Sequence, residues 1–88
     1  MKFTVIWKPA AETQLATIWL EASDREAISS ACQSIEAALG QTPELTGESR
    51  PLDCRVAFVA PLVVMFRVSV DDRLVEVASV RHIPLRQT

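Results

Sequence analysis

The sequence contains no tyrosine, one histidine, two cysteines and two glycines, and its aromatic residues amount to 6 %. Two cysteines are too few for a disulfide framework. Cys32 and Cys54 fall in segments patterned as a core helix and a core strand, so both are expected as reduced thiols. No apolar run approaches the roughly 20 residues that a membrane-spanning helix needs, and the short run in MKFTVIWKPA is too brief for a signal-peptide core. The cytoplasm is the resulting expectation for location, with no membrane partner. Internal repeats, low-complexity tracts and linkers are also missing. What is present is a high apolar content, 49 % of 88 residues. Its Val, Ile, Leu and Ala suffice for one two-layer core without metal or cross-link, and the length leaves room for a single domain over residues 1–88.

The net charge of −2 conceals an asymmetry. Residues 1–49 hold three cations and seven acids, a balance of −4; residues 50–88 hold six cations and four acids, a balance of +2. All six of those cations are arginines: Arg50, Arg55, Arg67, Arg73, Arg81 and Arg86. The planar guanidinium fork suits bidentate contact with phosphate. Arginine is equally at home on a solvated strand edge, so the count alone assigns nothing.

Along the chain, Phe3 to Trp7 form a short strand that stops before Pro9, which cannot donate to a ladder. Pro9 suits the first helical position, and Ala11, Leu15, Ile18, Trp19 and Ala22 share one helical face, predicting a helix over 9–21. Ser23 with Glu26 matches a capping box and restarts the chain as a second helix over 23–39. Its stripe is Ile28, Ala31, Cys32, Ile35, Ala38 and Leu39, and Gly40 is placed to end it in the left-handed conformation. So short a break makes the two helices an antiparallel hairpin. Residues 41–53 read as a loop with a short edge strand near Glu48–Arg50. CRVAFVA, LVVMFRVSV and LVEVASVRH then read as three antiparallel strands, separated by Ala60-Pro61 and Asp71-Asp72-Arg73. The fold class is α+β, of order β-α-α-β-β-β, with a two-helix hairpin on one face of an antiparallel sheet.

Alternation sorts strand residues into a helix-covered face and an open one. Val56, Phe58, Val64, Phe66, Val68 and Val70 are expected on the covered face, and Arg55, Ala57, Val59, Met65, Arg67 and Ser69 on the open one. In the last strand, burying Glu76 is costly, which places Glu76, Ala78, Val80 and His82 together on the open side. Leu15, Trp19, Ile28, Ile35, Phe58 and Phe66 are the expected core.

This element order in under 95 residues resembles the RelE/ParE family of bacterial toxins from type II toxin–antitoxin operons. The opening strand running into Lys8-Pro9-Ala10-Ala11-Glu12, followed by Leu15, Ile18 and Trp19, is similar to that family's first helix. Gly47-Glu48-Ser49-Arg50 leading to Cys54-Arg55-Val56 lies where the family carries a basic or Gly-rich segment before an R-x-x-[FY] pattern. The resemblance implies a toxin with a co-encoded antitoxin as partner, whose acidic or amphipathic segment covers the sheet or the helix hairpin and occludes Arg55 and Arg67.

The family divides into ribosome-dependent mRNA endonucleases, which block translation, and poisons of DNA gyrase. In the first branch the 2′-hydroxyl attacks the adjacent phosphate, and the protein must stabilise charge and protonate the leaving oxygen, work that Arg and His perform without metal or other cofactor. The resemblance then implies Arg67, Arg81 and His82 as catalytic groups and Arg50 and Arg55 as substrate-binding groups. The ribosome and mRNA are the partners on this reading. His82, with an ordinary pKa near 6.5, is the acid–base candidate. The alternatives are a ParE-like gyrase inhibitor and a degenerate toxin that only binds its antitoxin. His82 and the arginine set favour the mRNA interferase, while the acidic charge and the absence of Tyr favour binding without cleavage.

Overall fold

The computed structural model describes residues 2–83. The chain runs β1 (Thr4–Trp7), α1 (Pro9–Glu21), α2 (Arg25–Gln41), a 3₁₀ turn (Pro43–Leu45), β2 (Glu48–Arg50), β3 (Cys54–Val59), β4 (Leu62–Ser69) and β5 (Leu74–His82). The strands form one sheet of order β1-β5-β4-β3-β2, and both helices pack on one of its faces. β2 through β5 pair antiparallel in succession, as the strand patterns imply. β1 adds at the far edge parallel to β5, which makes the five-stranded sheet mixed.

Pro9 opens α1 as expected. Trp19 and Leu20 present the last carbonyls of α1 to Arg25, whose Nε and Nη2 donate at 3.0 and 3.1 Å while its guanidinium lies 4.6 Å from the Trp19 ring centroid. The cap of α2 is Asp24, not Ser23: Asp24 Oδ1 accepts from the Ala27 N–H at 3.0 Å, and the helix begins two residues later than expected. The carboxylate accepts a first-turn amide as a hydroxyl would, and its charge also meets the positive end of the helix dipole. α2 also runs through Gly40 to Gln41. Gly40 is helical, and its carbonyl accepts the Phe3 N–H at 2.7 Å, tying the helix end to the start of β1. The left-handed glycine is instead Gly47, at φ 70°.

The core is built from Ala11, from Ile28, Ala31, Ile35 and Leu39 on α2, and from the covered face of the sheet. β4 follows its expected alternation as far as Val68, with Leu62, Val64 and Phe66 fully buried, but Val70 lies beyond the strand end and is exposed, not covered. β3 does not follow its own. Register pairs Arg55 with Phe66, Ala57 with Val64 and Val59 with Leu62, so these three lie on the covered parity, while Val56 and Phe58 lie on the open one. Ala57 is 3 % exposed and Phe58 58 %. Once β4 is seated, a one-residue slip of β3 would turn its whole side-chain set over, so the neighbour's register decides the face against the bulk of Phe58.

β5 departs for a different reason. Met65 pairs with Ser79 and Phe66 with Val77, leaving Ala78 as an extra residue in a bulge. The bulge resets the alternation, so Val75, Val77 and Val80 are all buried. Glu76 still avoids the core, as its charge requires, but His82 moves to the covered parity opposite Leu62. Of the expected core, Ile28, Ile35 and Phe66 are buried, Leu15 is half-buried, and Trp19 and Phe58 are exposed. Residues 84–88, including Arg86, lie outside the described residues.

Candidate target-binding face and partner groove

The open face of the sheet is organised by its register into three rows. The first, across all five strands, is Arg50, Cys54, Arg67, Glu76 and Ile6. The second is Glu48, Val56, Met65 and Ser79, and the third is Phe58, Val63 and Arg81. Of the sequence-derived candidates, the structure therefore brings Arg50 and Arg67 together, on either side of Cys54. Arg81 lies on the same face but four residues further along β4, about 13 Å at roughly 3.3 Å per residue, with Val56 and Met65 between.

Arg55 and His82 are elsewhere. Arg55 is half-buried on the covered side, where its Nε donates to the Thr46 carbonyl and its Nη2 to the Gly47 carbonyl, both at 3.0 Å. Its guanidinium thus holds the segment before β2 in place. His82 lines a cleft between α1 and the end of β5 with Thr13, Gln14, Thr17 and Ile18, and Arg81 borders the same cleft. In that cleft the Gln14 side chain accepts the Val80 N–H at 2.8 Å.

Two of the three arginines of the open face, Arg50 and Arg67, stand beside acids, and Arg81, among the described residues, does not. Arg50 forms an ion pair with Glu48 at 3.0 Å. Arg67 sits in a recess with Asp53 and Glu76; Cys54 beside it, and more weakly those two carboxylates, push its pKa up by favouring the charged form. A face of locally compensated charges interleaved with Phe58, Met65, Val63 and Ile6 has the composition of a protein-recognition surface. A polyanion site would instead gather uncompensated cations. No cluster of three metal-ligating side chains occurs among the described residues.

The structure also holds a feature that sequence reasoning missed. On the helix hairpin, Trp7, Leu15, Trp19, Leu20, Ile28 and Cys32 line an apolar groove of about 610 Å³ bounded by Glu12 and Glu36. Trp7 Nε1 donates to Glu36 Oε2 at 3.3 Å along it. Leu20 is 64 % and Trp19 40 % exposed. The signal was in the sequence: Trp19-Leu20 extends the apolar stripe of α1 beyond what one face of a sheet can cover. Cys32, half-buried on the groove wall, has its pKa pushed up by burial and then by Glu36.

Comparison with known proteins places this architecture. The family model described as the ParE toxin of the type II toxin–antitoxin system parDE matches residues 5–83. The chain belongs to that family, within the RelE/ParE superfamily, and is a toxin of a type II toxin–antitoxin system. Among solved structures it is similar to a chain of the RelBE2 toxin–antitoxin complex from Mycobacterium tuberculosis (TM-score 0.76, 18 % identity, covering 93 % of this chain and 92 % of that one). It is also similar to a chain of the chromosomal ParDE system of P. aeruginosa (TM-score 0.68, 18 % identity, 94 % and 98 % covered) and of the intact E. coli RelBE complex (TM-score 0.66, 17 % identity, 96 % and 99 % covered). No match was found among curated protein sequences. No helix among the described residues is long and apolar enough to cross a membrane.

Proposed function

We propose that this toxin acts by binding a protein target through the open face of its sheet, DNA gyrase being the target class that the ParE branch implies, and that its antitoxin is held in the groove of the helix hairpin. The observation that carries the target reading is the division of the candidate residues. Arg50 and Arg67 share a face with Phe58 and Met65, while His82, the sole histidine, lines the cleft beside α1, which of the candidate arginines only Arg81 also borders. General acid–base catalysis needs the proton-transfer group within hydrogen-bond reach of the phosphate that the arginines hold. The hairpin suits an antitoxin because its groove is apolar and edged by carboxylates, which fits an amphipathic helix with basic flanks better than an acidic segment. The cell's cytoplasm, where such a target resides, is the proposed site of action.

The test is a pair of reactions with purified protein: plasmid supercoiling by gyrase, and mapping of mRNA ends in a translation reaction. Loss of supercoiling with intact mRNA supports this reading. The second reading, a ribosome-dependent mRNA endonuclease, is favoured by the side-by-side placement of Arg50 and Arg67. It predicts cut mRNA, lost in Arg67→Ala and Arg81→Ala and reduced in His82→Gln, with untouched supercoiling.

A further inference from the structure

We propose that β2 is a self-recognition edge through which two copies of this chain pair antiparallel about Ser49 and join their sheets. β2 pairs with β3 on one side only and ends the sheet. An outward row of backbone groups on such an edge is a template for a further strand, and pairing here exchanges the Arg50 contacts made within one chain, to the Ser49 carbonyl at 3.2 Å and to Glu48 at 3.0 Å, for contacts across the axis. Here the sequence of the edge is self-complementary. In a two-fold antiparallel pair whose open faces lie on the same side, facing residues must have the same parity, which leaves registers centred on Glu48, Ser49 or Arg50. The first sets Glu48 against its own copy and the last Arg50 against its own; only the register centred on Ser49 sets Glu48 of each chain against Arg50 of the other. Opposite charges facing across strands stabilise a pair and like charges destabilise it.

Two further observations point to the same occupant. Leu45 and Leu52, flanking β2 in sequence, are each 82 % exposed, which leaves apolar side chains at both ends of the edge for a second copy to cover. The edge is also held in shape. Gly47 at φ 70° lies so close to β3 that a Cβ would sit 2.1 Å from the Val56 carbonyl oxygen, and Arg55 fastens Thr46 and Gly47 by their carbonyls. Pro51 has no N–H, so the paired segment cannot extend past Arg50. An isologous pair of this kind closes on itself and does not propagate. It would place two copies of the Arg50 and Arg67 row side by side. The proposal stands on the edge alone and is independent of which target the toxin binds.

Sedimentation velocity of the full chain across a concentration series tests it, with circular dichroism confirming the fold of each variant. Wild-type protein is expected to show a reversible monomer–dimer equilibrium. Glu48→Arg and Arg50→Glu, each alone, should weaken the dimer by about tenfold or more, because both cross-axis pairs become like-charged. An equimolar mixture of the two variants should dimerise again, since every pair is once more one cation and one anion. Wild-type protein that stays monomeric at all concentrations overturns the proposal. So do single variants that dimerise like wild type, or a mixture that fails to recover.

Discussion

At the residue scale, two side chains that looked alike in the sequence have separate work. Arg55 satisfies two carbonyls in the approach to β2, so Arg55→Ala should destabilise the protein by about 1–2 kcal/mol, the range for hydrogen bonds made by a charged donor at a partly exposed site. Urea unfolding of that variant measures it, and an unchanged midpoint would show the contacts to be dispensable. Arg67 accepts no such structural duty, and Arg67→Ala should unfold like wild type. Cys32 supplies a second test. Burial and Glu36 raise its pKa in the folded protein, so the neutral thiol stabilises the fold below the ordinary thiol pKa, and this contribution is lost as pH rises through the raised value. In a Cys54→Ser background, thiol labelling of Cys32 should be slow at neutral pH, with an alkaline midpoint above that of a free thiol. Glu36→Gln should lower that midpoint.

At the element scale, the start of α2 rests on Asp24. Asp24→Ala should cost about 1 kcal/mol, the usual loss for a carboxylate cap, while Ser23→Ala should be neutral. Thermal unfolding of both variants separates the two. The capping example also shows how much of the fold the sequence discloses. Periodicity sufficed for α1, for the stripe of α2 and for all three strands of the meander, and the loop composition of residues 41–53 for the short edge at Glu48–Arg50, because each signal is local. Faces were harder. Whether Phe58 or Ala57 points inward depends on the register of β3 against β4, a relation between segments that no window along one strand contains. His82 was misplaced for a related reason: a bulge at Ala78 carries no proline or glycine to announce it, yet it turns over every residue after it. The candidate site inherited these errors. The sequence offered Arg50, Arg55, Arg67, Arg81 and His82 as candidates and, with His82 on the open side, turned Arg81 away from it; which of them share a face, and the existence of the hairpin groove, appear only when the elements are packed together.

At the scale of the whole molecule, the two surfaces lie on opposite sides of one sheet and differ in charge. Residues 9–41, which form the hairpin, carry five acids and one arginine, while the open face holds Arg50, Arg67 and Arg81 with Glu48 and Glu76 among apolar side chains. If antitoxin and target use separate surfaces, single substitutions should uncouple them. Leu20 and Phe58 are suited to the purpose because both are exposed, so a charge at either position leaves the core intact and should change stability by no more than about 0.5 kcal/mol. Leu20→Glu places a carboxylate in an apolar groove already edged by Glu12 and Glu36. It should weaken antitoxin binding by roughly tenfold to a hundredfold, as expected for a central apolar anchor, and leave growth inhibition intact. Phe58→Glu should do the reverse, abolishing growth inhibition while antitoxin binding, measured by calorimetry, stays at the wild-type value. A Leu20→Glu protein still fully neutralised by its antitoxin would show that the groove is not where the partner is held. A Phe58→Glu protein as toxic as wild type would take the target off the open face and direct attention to the His82 cleft between α1 and β5.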